Sequence, residues 1–277
     1  MVVFPNAKIN LGLHILRRRA DGYHDIETLM LPVDWNDILE VVPSRGHTDR
    51  LVTTGRAIDC APEQNLVMKA LRLLREVADF PPVDIYIHKI IPDGAGLGGG
   101  SSDAAFLLKA VNLLFDLGLT EPALAAVAGR VGADCPFFIY NRPAVCSGVG
   151  TEIELVKSPV PEGTWVVVSK PDVSVSTREA YSGVTPMERD MALISLLRST
   201  EPSDWPGMVS NDFEMFVASA HPAIAAEKES IAAAGAWYAS MSGSGAAVYG
   251  LFDKYPAVPE SSRRRVCQLG AVKPYAI

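Results

Sequence analysis

The chain is short of everything that would staple it, carry it across a membrane or coat it with positive charge. It has four cysteines in 277 residues, Cys60, Cys135, Cys146 and Cys267. They lie far apart, at no metal-ligand spacing, which predicts small buried hydrophobes in a reducing compartment rather than a disulfide or zinc framework. No run of about 18 uninterrupted apolar residues occurs, so no spanning helix is expected. The N-terminus, MVVFPNAKINL, has no basic stretch followed by a long apolar run, which argues against a secretory leader. Positive charge is not in excess. Lys and Arg number 25 against 32 Asp and Glu, a net charge of −7 that argues against nucleic acid or anionic membrane as partners. A small anionic ligand would need a locally positive pocket, which backbone amides can supply. Internal repeats and low-complexity segments are also missing.

What is present suits a cytoplasmic globular protein. With 48% hydrophobic residues, a chain of this length can build a core without disulfides or a structural metal. It suggests one large domain or two smaller ones. The first part reads as β-rich: 8–16 alternates, with Ile9, Leu11, Leu13 and Ile15 on one face, and 26–33 and 38–42 look like further strands. A helical face runs through 65–77, and 83–91 is a strand. Residues 101–115 and 121–131 read as helices, the second opened by Thr120 and Pro122. After Asp134 come a short apolar run at 137–140 and strands near 144–146 and 164–169. Pro159, Pro161 and Gly163 mark a boundary. Beyond it, helical segments (191–198, 213–220, 223–234) alternate with strands (237–241, 246–252, 271–275), giving two α+β halves with a cleft between them.

The most informative stretch is Pro92-Asp-Gly-Ala-Gly-Leu-Gly-Gly-Gly-Ser-Ser, between a strand and a helix. Glycine lets the backbone take positive φ and approach a ligand closely. A helix start offers unpaired amides and a partial positive charge. Together they predict a phosphate cradle that needs no basic side chain. Ser101 and Ser102 could cap the helix, contact a phosphate or ligate a metal. No lysine precedes Ser101, which excludes a Walker A loop. Gly94-Ala-Gly-Leu-Gly-Gly does fit the dinucleotide pattern, but a second helix follows where that fold needs a strand, so the reading is weak.

Asp134 lies between a helix end at Gly132 and Pro136, and taken alone it reads as an N-cap. Lys8 lies inside an apolar alternating strand, two residues from Asn10 and on the same face. In a cleft, such a lysine could keep a nearby aspartate ionised and ease deprotonation of a bound hydroxyl, which is a poor nucleophile at neutral pH. Asp21-Gly22 is a turn pair that would present Tyr23 and His24, an aromatic face and a hydrogen-bonding edge. Gly243-Ser244-Gly245, between two strands, reads as a hairpin turn. His14, His47, His88 and His221 show no ligand spacing and read as structural or surface residues.

These segments, in this order, resemble the GHMP kinases, the family of galactokinase and of homoserine, mevalonate and phosphomevalonate kinases. The likeness rests on Pro5-x-Ala-Lys-Ile-Asn-Leu11, 19–24, 96–102, Gly132–Phe138, Asn211-Asp-Phe-Glu214 and Met241–Gly245. It spans residue 5 to about residue 252. The resemblance implies an α+β, two-domain fold: an N-terminal nucleotide-binding half (1–158), a ferredoxin-like C-terminal half (159–277), and the active site in the cleft between. It implies ATP as donor, with Mg2+, and a small cytidine-bearing alcohol as acceptor, with Asp134 as catalytic base and Lys8 as its partner. Asn65, Lys89, Pro92, Gly94, Gly96, Leu97, Gly98, Gly99, Gly100, Ser101 and Ser102 are implied on the ATP side. On the acceptor side it implies Asn10, Tyr23, His24, Tyr181 as the cytosine-stacking aromatic, and Gly243, Ser244 and Gly245. The magnesium ligands stay open, as does the choice between monomer and homodimer. A sister GHMP kinase and a non-catalytic nucleotide-binding relative are the rival readings.

Overall fold

The computed structural model describes residues 1–57 and 64–270. The N-terminal part contains β1 (Val2–Val3), β2 (Asn6–Arg18), β3 (His24–Asn36), β4 (Ile38–Pro43), β5 (Arg50–Gly55), α1 (Leu66–Arg75), β6 (Val83–Lys89), α2 (Gly99–Leu114), α3 (Glu121–Val131), α4 (Cys135–Tyr140), β7 (Ala144–Gly148) and β8 (Glu152–Leu155). The C-terminal part contains β9 (Trp165–Ser169), α5 (Thr177–Ser182), α6 (Leu193–Ser199), α7 (Trp205–Met208), α8 (Glu214–Ala220), α9 (Pro222–Ala233), β10 (Tyr238–Met241), β11 (Val248–Phe252) and β12 (Arg264–Gln268). The strand expected at 271–275 lies outside the described residues, as does Cys60.

The strands form three four-stranded sheets, β1-β4-β6-β5, β2-β3-β7-β8 and β10-β11-β9-β12. The third is antiparallel throughout. Counted from β9, its strand order is 2-3-1-4, the ferredoxin-like arrangement. The link from β11 to β12 carries no helix, unlike the second crossover of that motif.

Local chemistry explains most of the elements. Asn65 caps α1 by accepting the Val67 N–H at 2.9 Å. Val67, Ala70, Leu71 and Leu74 give that helix one buried face, and Arg72 and Arg75 sit in its last turn, where the helix dipole favours cations. Thr120 caps α3 through the Ala123 N–H. Helices α1–α4 cover the first sheet, and Val41, Ile85, Leu74, Phe106 and Phe138 share one core. A second core crosses between the two halves, with Ile9, Leu11, Leu29 and Leu31 against Val166, Val168, Tyr249 and Leu251.

The structure corrects the alternation expected along β2. The β2–β3 register shifts between Leu11 and Leu13, and Gly12 sits in the bulge at φ +68°. A Cβ there would come within 2.8 Å of Leu193 Cδ1. Past the bulge the pleat changes parity. Ile9 and Leu11 belong to the core between the halves, whereas Leu13 and Ile15 join a third cluster with Phe213 and Met241. The cleft face runs Lys8, Asn10 and then Leu13. Two further differences are smaller. Helix α2 begins at Gly99 rather than Ser101, and the apolar run 137–140 is part of helix α4.

Candidate active site

Lys8 and Asn10 point off β2 into a cleft of about 360 Å³. The lysine is 2% exposed. Its Nζ lies 3.4 Å from Asp134 Oδ2 and donates to Asn10 Oδ1. Asn10 Nδ2 in turn donates to Thr28 Oγ1 at 3.0 Å, and Thr28 Oγ1 donates to the Gly12 carbonyl at 2.6 Å. The lysine is therefore aimed by a chain of buried hydrogen bonds that ends at the bulge. Asp134 occupies the N-cap position of α4 but makes no side-chain capping bond. Its carboxylate turns to Lys8 instead, with the side chain 32% exposed to the cleft. The capping role that Asp134 suggests in isolation is thus not the one it plays.

The charge of Asp134 is felt around it. Burial, and then that charge, push the Cys146 thiol up to about 12 and raise the Tyr181 phenol. Burial likewise pushes the Cys135 thiol, beside Asp134, up to about 12, so neither cysteine serves as a nucleophile at neutral pH. Cys135, Cys146 and Cys267 are all buried free thiols.

The glycine loop forms the adjoining wall. Gly94, Gly96 and Gly98 have φ of +57°, +71° and +72°. A Cβ on Gly96 would lie 2.0 Å from the Ser242 carbonyl oxygen. One on Gly98 would lie 2.8 Å from the Phe138 ring and 3.2 Å from Lys8 Cγ. The loop is therefore pressed against both halves, and the Lys8 N–H donates to the Leu97 carbonyl at 2.9 Å. Gly98, at the N-cap of the 16-residue α2, brings no side chain to occupy the first amides, and the first turn holds no acid. Gly99, Gly100 and Ser101 line the cleft there. These features fit a triphosphate held by main-chain N–H groups.

The donor set for magnesium is sparse. No group of three His, Cys, Asp or Glu residues that could hold a metal occurs among the described residues. Asp134 and Ser101 are oxygen-bearing side chains in the cleft. That suits Mg2+, which keeps water and phosphate ligands and takes one or two from protein.

The end of the cleft beside Tyr181 is aromatic. The His24 ring stacks on Tyr181, with centroids 4.7 Å apart and planes 19° from parallel. Tyr181 meets Phe213 edge-on at 4.8 Å. Tyr23, at the hairpin tip, is 66% exposed. Two ion pairs, Arg17–Asp25 and Arg19–Asp25, brace that tip, and Asp21 accepts the Tyr23 N–H at 3.1 Å.

The structure gathers Lys8, Asn10, Pro92, Gly94, Gly96, Gly98, Gly99, Gly100, Ser101, Asp134, Tyr181, Gly243, Ser244 and Gly245 around one cleft. Tyr23 and His24 stand at its rim side rather than in its lining. Four others turn elsewhere. Leu97 is buried in the core between the halves. Ser102 is fully buried, and its Oγ has no hydrogen-bond partner. Asn65 is occupied capping α1 beside the lining residue Leu66. Lys89 is 5% exposed and engaged by Asp37 and Asp103, so its ammonium does not reach the cleft. Thr177 and Phe213 line the cleft without having been picked out as site residues. Phe213 belongs to the Asn211–Glu214 motif, whereas Thr177 carries no signal beyond a polar residue in a weakly patterned loop.

Comparison with known proteins agrees with this geometry. The model of the GHMP kinases N terminal domain matches residues 65–142, and that of the GHMP kinases C terminal matches residues 193–270. A 4-diphosphocytidyl-2-C-methyl-D-erythritol kinase of Parabacteroides distasonis is 45% identical over 271 residues, covering 97% of this chain and 98% of its own. The chain belongs to the 4-diphosphocytidyl-2-C-methyl-D-erythritol kinase family of the GHMP kinases. The kinase of the same name from Bacteroides fragilis is 46% identical over 257 residues, 91% of this chain and 92% of its own. A crystal structure of a 4-(cytidine 5'-diphospho)-2C-methyl-D-erythritol kinase superposes with a TM-score of 0.74 at 34% identity, covering 91% of this chain and 90% of that one. Membership makes the protein a small-molecule kinase with the N- and C-terminal parts of that family. No helix among the described residues is long and apolar enough to cross a membrane.

Proposed function

We propose that the protein phosphorylates the 2-hydroxyl of 4-diphosphocytidyl-2-C-methyl-D-erythritol from ATP, a step of the non-mevalonate route to isoprenoid precursors. The observation that carries this reading is the placement of Lys8 and Asp134, 3.4 Å apart, in one cleft with the glycine loop and with Tyr181, on which His24 stacks. The loop amides and the start of α2 bind the triphosphate. Asp134 accepts the proton of the acceptor hydroxyl. Lys8, held on Asn10 and 3.4 Å from Asp134, offsets the charge that develops as the hydroxyl oxygen attacks. Magnesium, when bound with the triphosphate, would neutralise part of its charge, and Asp134 and Ser101 are the side chains that would meet it. His24, Tyr181 and Tyr23 recognise the cytosine by stacking and edge hydrogen bonds. Positioning and electrostatics supply most of the acceleration, as in phosphoryl transfer generally. The chain divides near residues 158 and 159, between β8 and β9, into a nucleotide-binding half (1–158) and a C-terminal half (159–277). A cytoplasmic setting supplies the ATP.

The test is a coupled assay of ADP release with and without 4-diphosphocytidyl-2-C-methyl-D-erythritol, run beside mevalonate, homoserine and galactose. ADP formation that depends on the cytidine-bearing alcohol is the expected result. Turnover with another alcohol of the panel in its place would reassign the substrate.

A further inference from the structure

The motif Asn211-Asp-Phe-Glu214 bears on the cleft without supplying the reacting groups, and Asn211 is its centre. Its backbone docks on the open edge of β2 just past the Gly12 bulge. Leu13 N–H donates to the Ser210 carbonyl at 3.0 Å and Asp212 N–H to the Leu13 carbonyl at 2.9 Å. Its side chain, 4% exposed, uses both ends. Nδ2 donates to the Met241 carbonyl at 2.9 Å and the Gly243 carbonyl at 2.8 Å, and Oδ1 accepts the Phe213 N–H at 3.0 Å. Asn211 and its flanking backbone therefore join three walls of the site: the strand that carries Lys8, the Gly243–Gly245 loop, and the ring that supports Tyr181.

The contact at Gly243 has a directional consequence. A peptide unit is planar and trans, so its C=O and N–H point opposite ways. Fixing the Gly243 carbonyl on Asn211 turns the Ser244 N–H away from Asn211. That N–H has no partner among the described residues, and Ser244 lines the cleft. The loop also lies close against the phosphate loop, since a Cβ on Gly243 would fall 3.1 Å from Gly96 Cα. Glu214 steadies the same segment by accepting the Met241 N–H at 2.8 Å and the Ser240 hydroxyl at 3.0 Å.

We infer that Asn211 is a positioning residue for the acceptor: it holds the Ser244 N–H toward an oxygen of the bound acceptor and braces the Phe213–Tyr181 wall, without touching the acceptor itself. The inference rests on the reading of the cleft given above, with ATP on the Gly94–Ser101 side and the alcohol beside Gly243–Gly245.

Steady-state kinetics of Asn211→Ala separate this role from simple fold maintenance. The probe is 4-diphosphocytidyl-2-C-methyl-D-erythritol, or whichever alcohol of the panel the wild-type enzyme phosphorylates, so a wrong substrate assignment shows in the wild type alone. The KM for the acceptor should rise on the order of tenfold or more, as expected for losing one or two hydrogen bonds to a held group. The KM for ATP should stay within about twofold, because the phosphate loop is held by other contacts. Since Asn211→Ala also leaves two buried carbonyls short of a donor, Ser244→Pro gives a second reading that removes the N–H in question, with Ser244→Ala beside it to account for the lost hydroxyl and its contact with Thr177. Ser244→Pro should reproduce the acceptor-selective rise with Asn211 intact. Equal rises in both KM values, or unchanged KM values with only a lower active fraction, would overturn the role.

Discussion

Lys8 Nζ stands 3.4 Å from Asp134 Oδ2, a buried ammonium facing a carboxylate that is open to the cleft. The asymmetry matters: the cation is fixed by Asn10, and the anion keeps a free oxygen for a substrate proton. Asp134→Asn keeps the shape and removes the base. Its kcat should fall on the order of 10²–10⁴-fold, the worth of general-base help. ATP affinity, followed by nucleotide titration, should be nearly unchanged. Full turnover in that variant would remove Asp134 from the mechanism.

The two ends of the glycine loop predict a contrast. Gly94 and Gly96 both have left-handed backbones, and forcing a side chain there costs about 1–2 kcal/mol. A Cβ on Gly94 meets nothing within 4 Å, whereas one on Gly96 meets the Ser242 carbonyl at 2.0 Å. Gly96→Ala must therefore push the two glycine loops apart. It should lower the melting temperature clearly more than Gly94→Ala does and abolish measurable turnover. Thermal melts of the two variants side by side check the order.

Beneath the loop, Lys89 is shared by Asp37 and Asp103, one cation between two buried carboxylates. Removing it by Lys89→Met strands two acids and should cost about 3–5 kcal/mol, read by urea unfolding.

Asp103 itself adds a pH dependence. Burial pushes its carboxyl up from 3.8 to about 8, with Lys89 opposing and Asp37 adding to the rise. The folded protein then holds a proton that the unfolded chain releases near its ordinary value. That contribution to stability is complete below about pH 4 and is lost as pH climbs toward 8. Asp103→Asn cannot titrate and should flatten the fall in unfolding free energy across this window. An equally steep fall in the variant would show that Asp103 is ionised throughout.

The His24–Tyr181 stack predicts a selective effect at the other end of the cleft. Aromatic pairs contribute about 0.5–1.5 kcal/mol beyond area burial. His24→Ala should accordingly raise the KM for the acceptor up to roughly tenfold and leave that for ATP alone. A change in the ATP term instead would place this pair outside acceptor recognition.

Much of this was legible before any coordinates, and the reasons differ by segment. Helix α1 was readable because its cap and its apolar stripe agree. The glycine loop was readable because few other sequences make a close-approach turn into a helix start. Strand β12 was not, since Arg264-Arg-Val-Cys-Gln shows no alternation, and pairing with β9 alone makes it a strand. Strand β5 was missed for a similar reason, its exposed edge being held only by parallel pairing to β6. In the site, the resemblance implied Lys89 on the ATP side, and no local pattern announces the two carboxylates that take up its ammonium, since they lie 52 and 14 residues away in sequence. Asn211 carried no local sign of its task, because its acceptors at Met241 and Gly243 come from a distant loop.

The parity change at Gly12 restricts how this hairpin can evolve. Lys8 and Asn10 are even-numbered and Leu13 is odd, yet all three border the same cleft. Deleting Gly12 would restore strict alternation and turn Leu13, with the β2 residues that follow it, to the opposite face, taking Leu13 out of the cleft. A lone insertion or deletion between Asn10 and Leu13 should therefore be selected against, even though it touches neither reacting group.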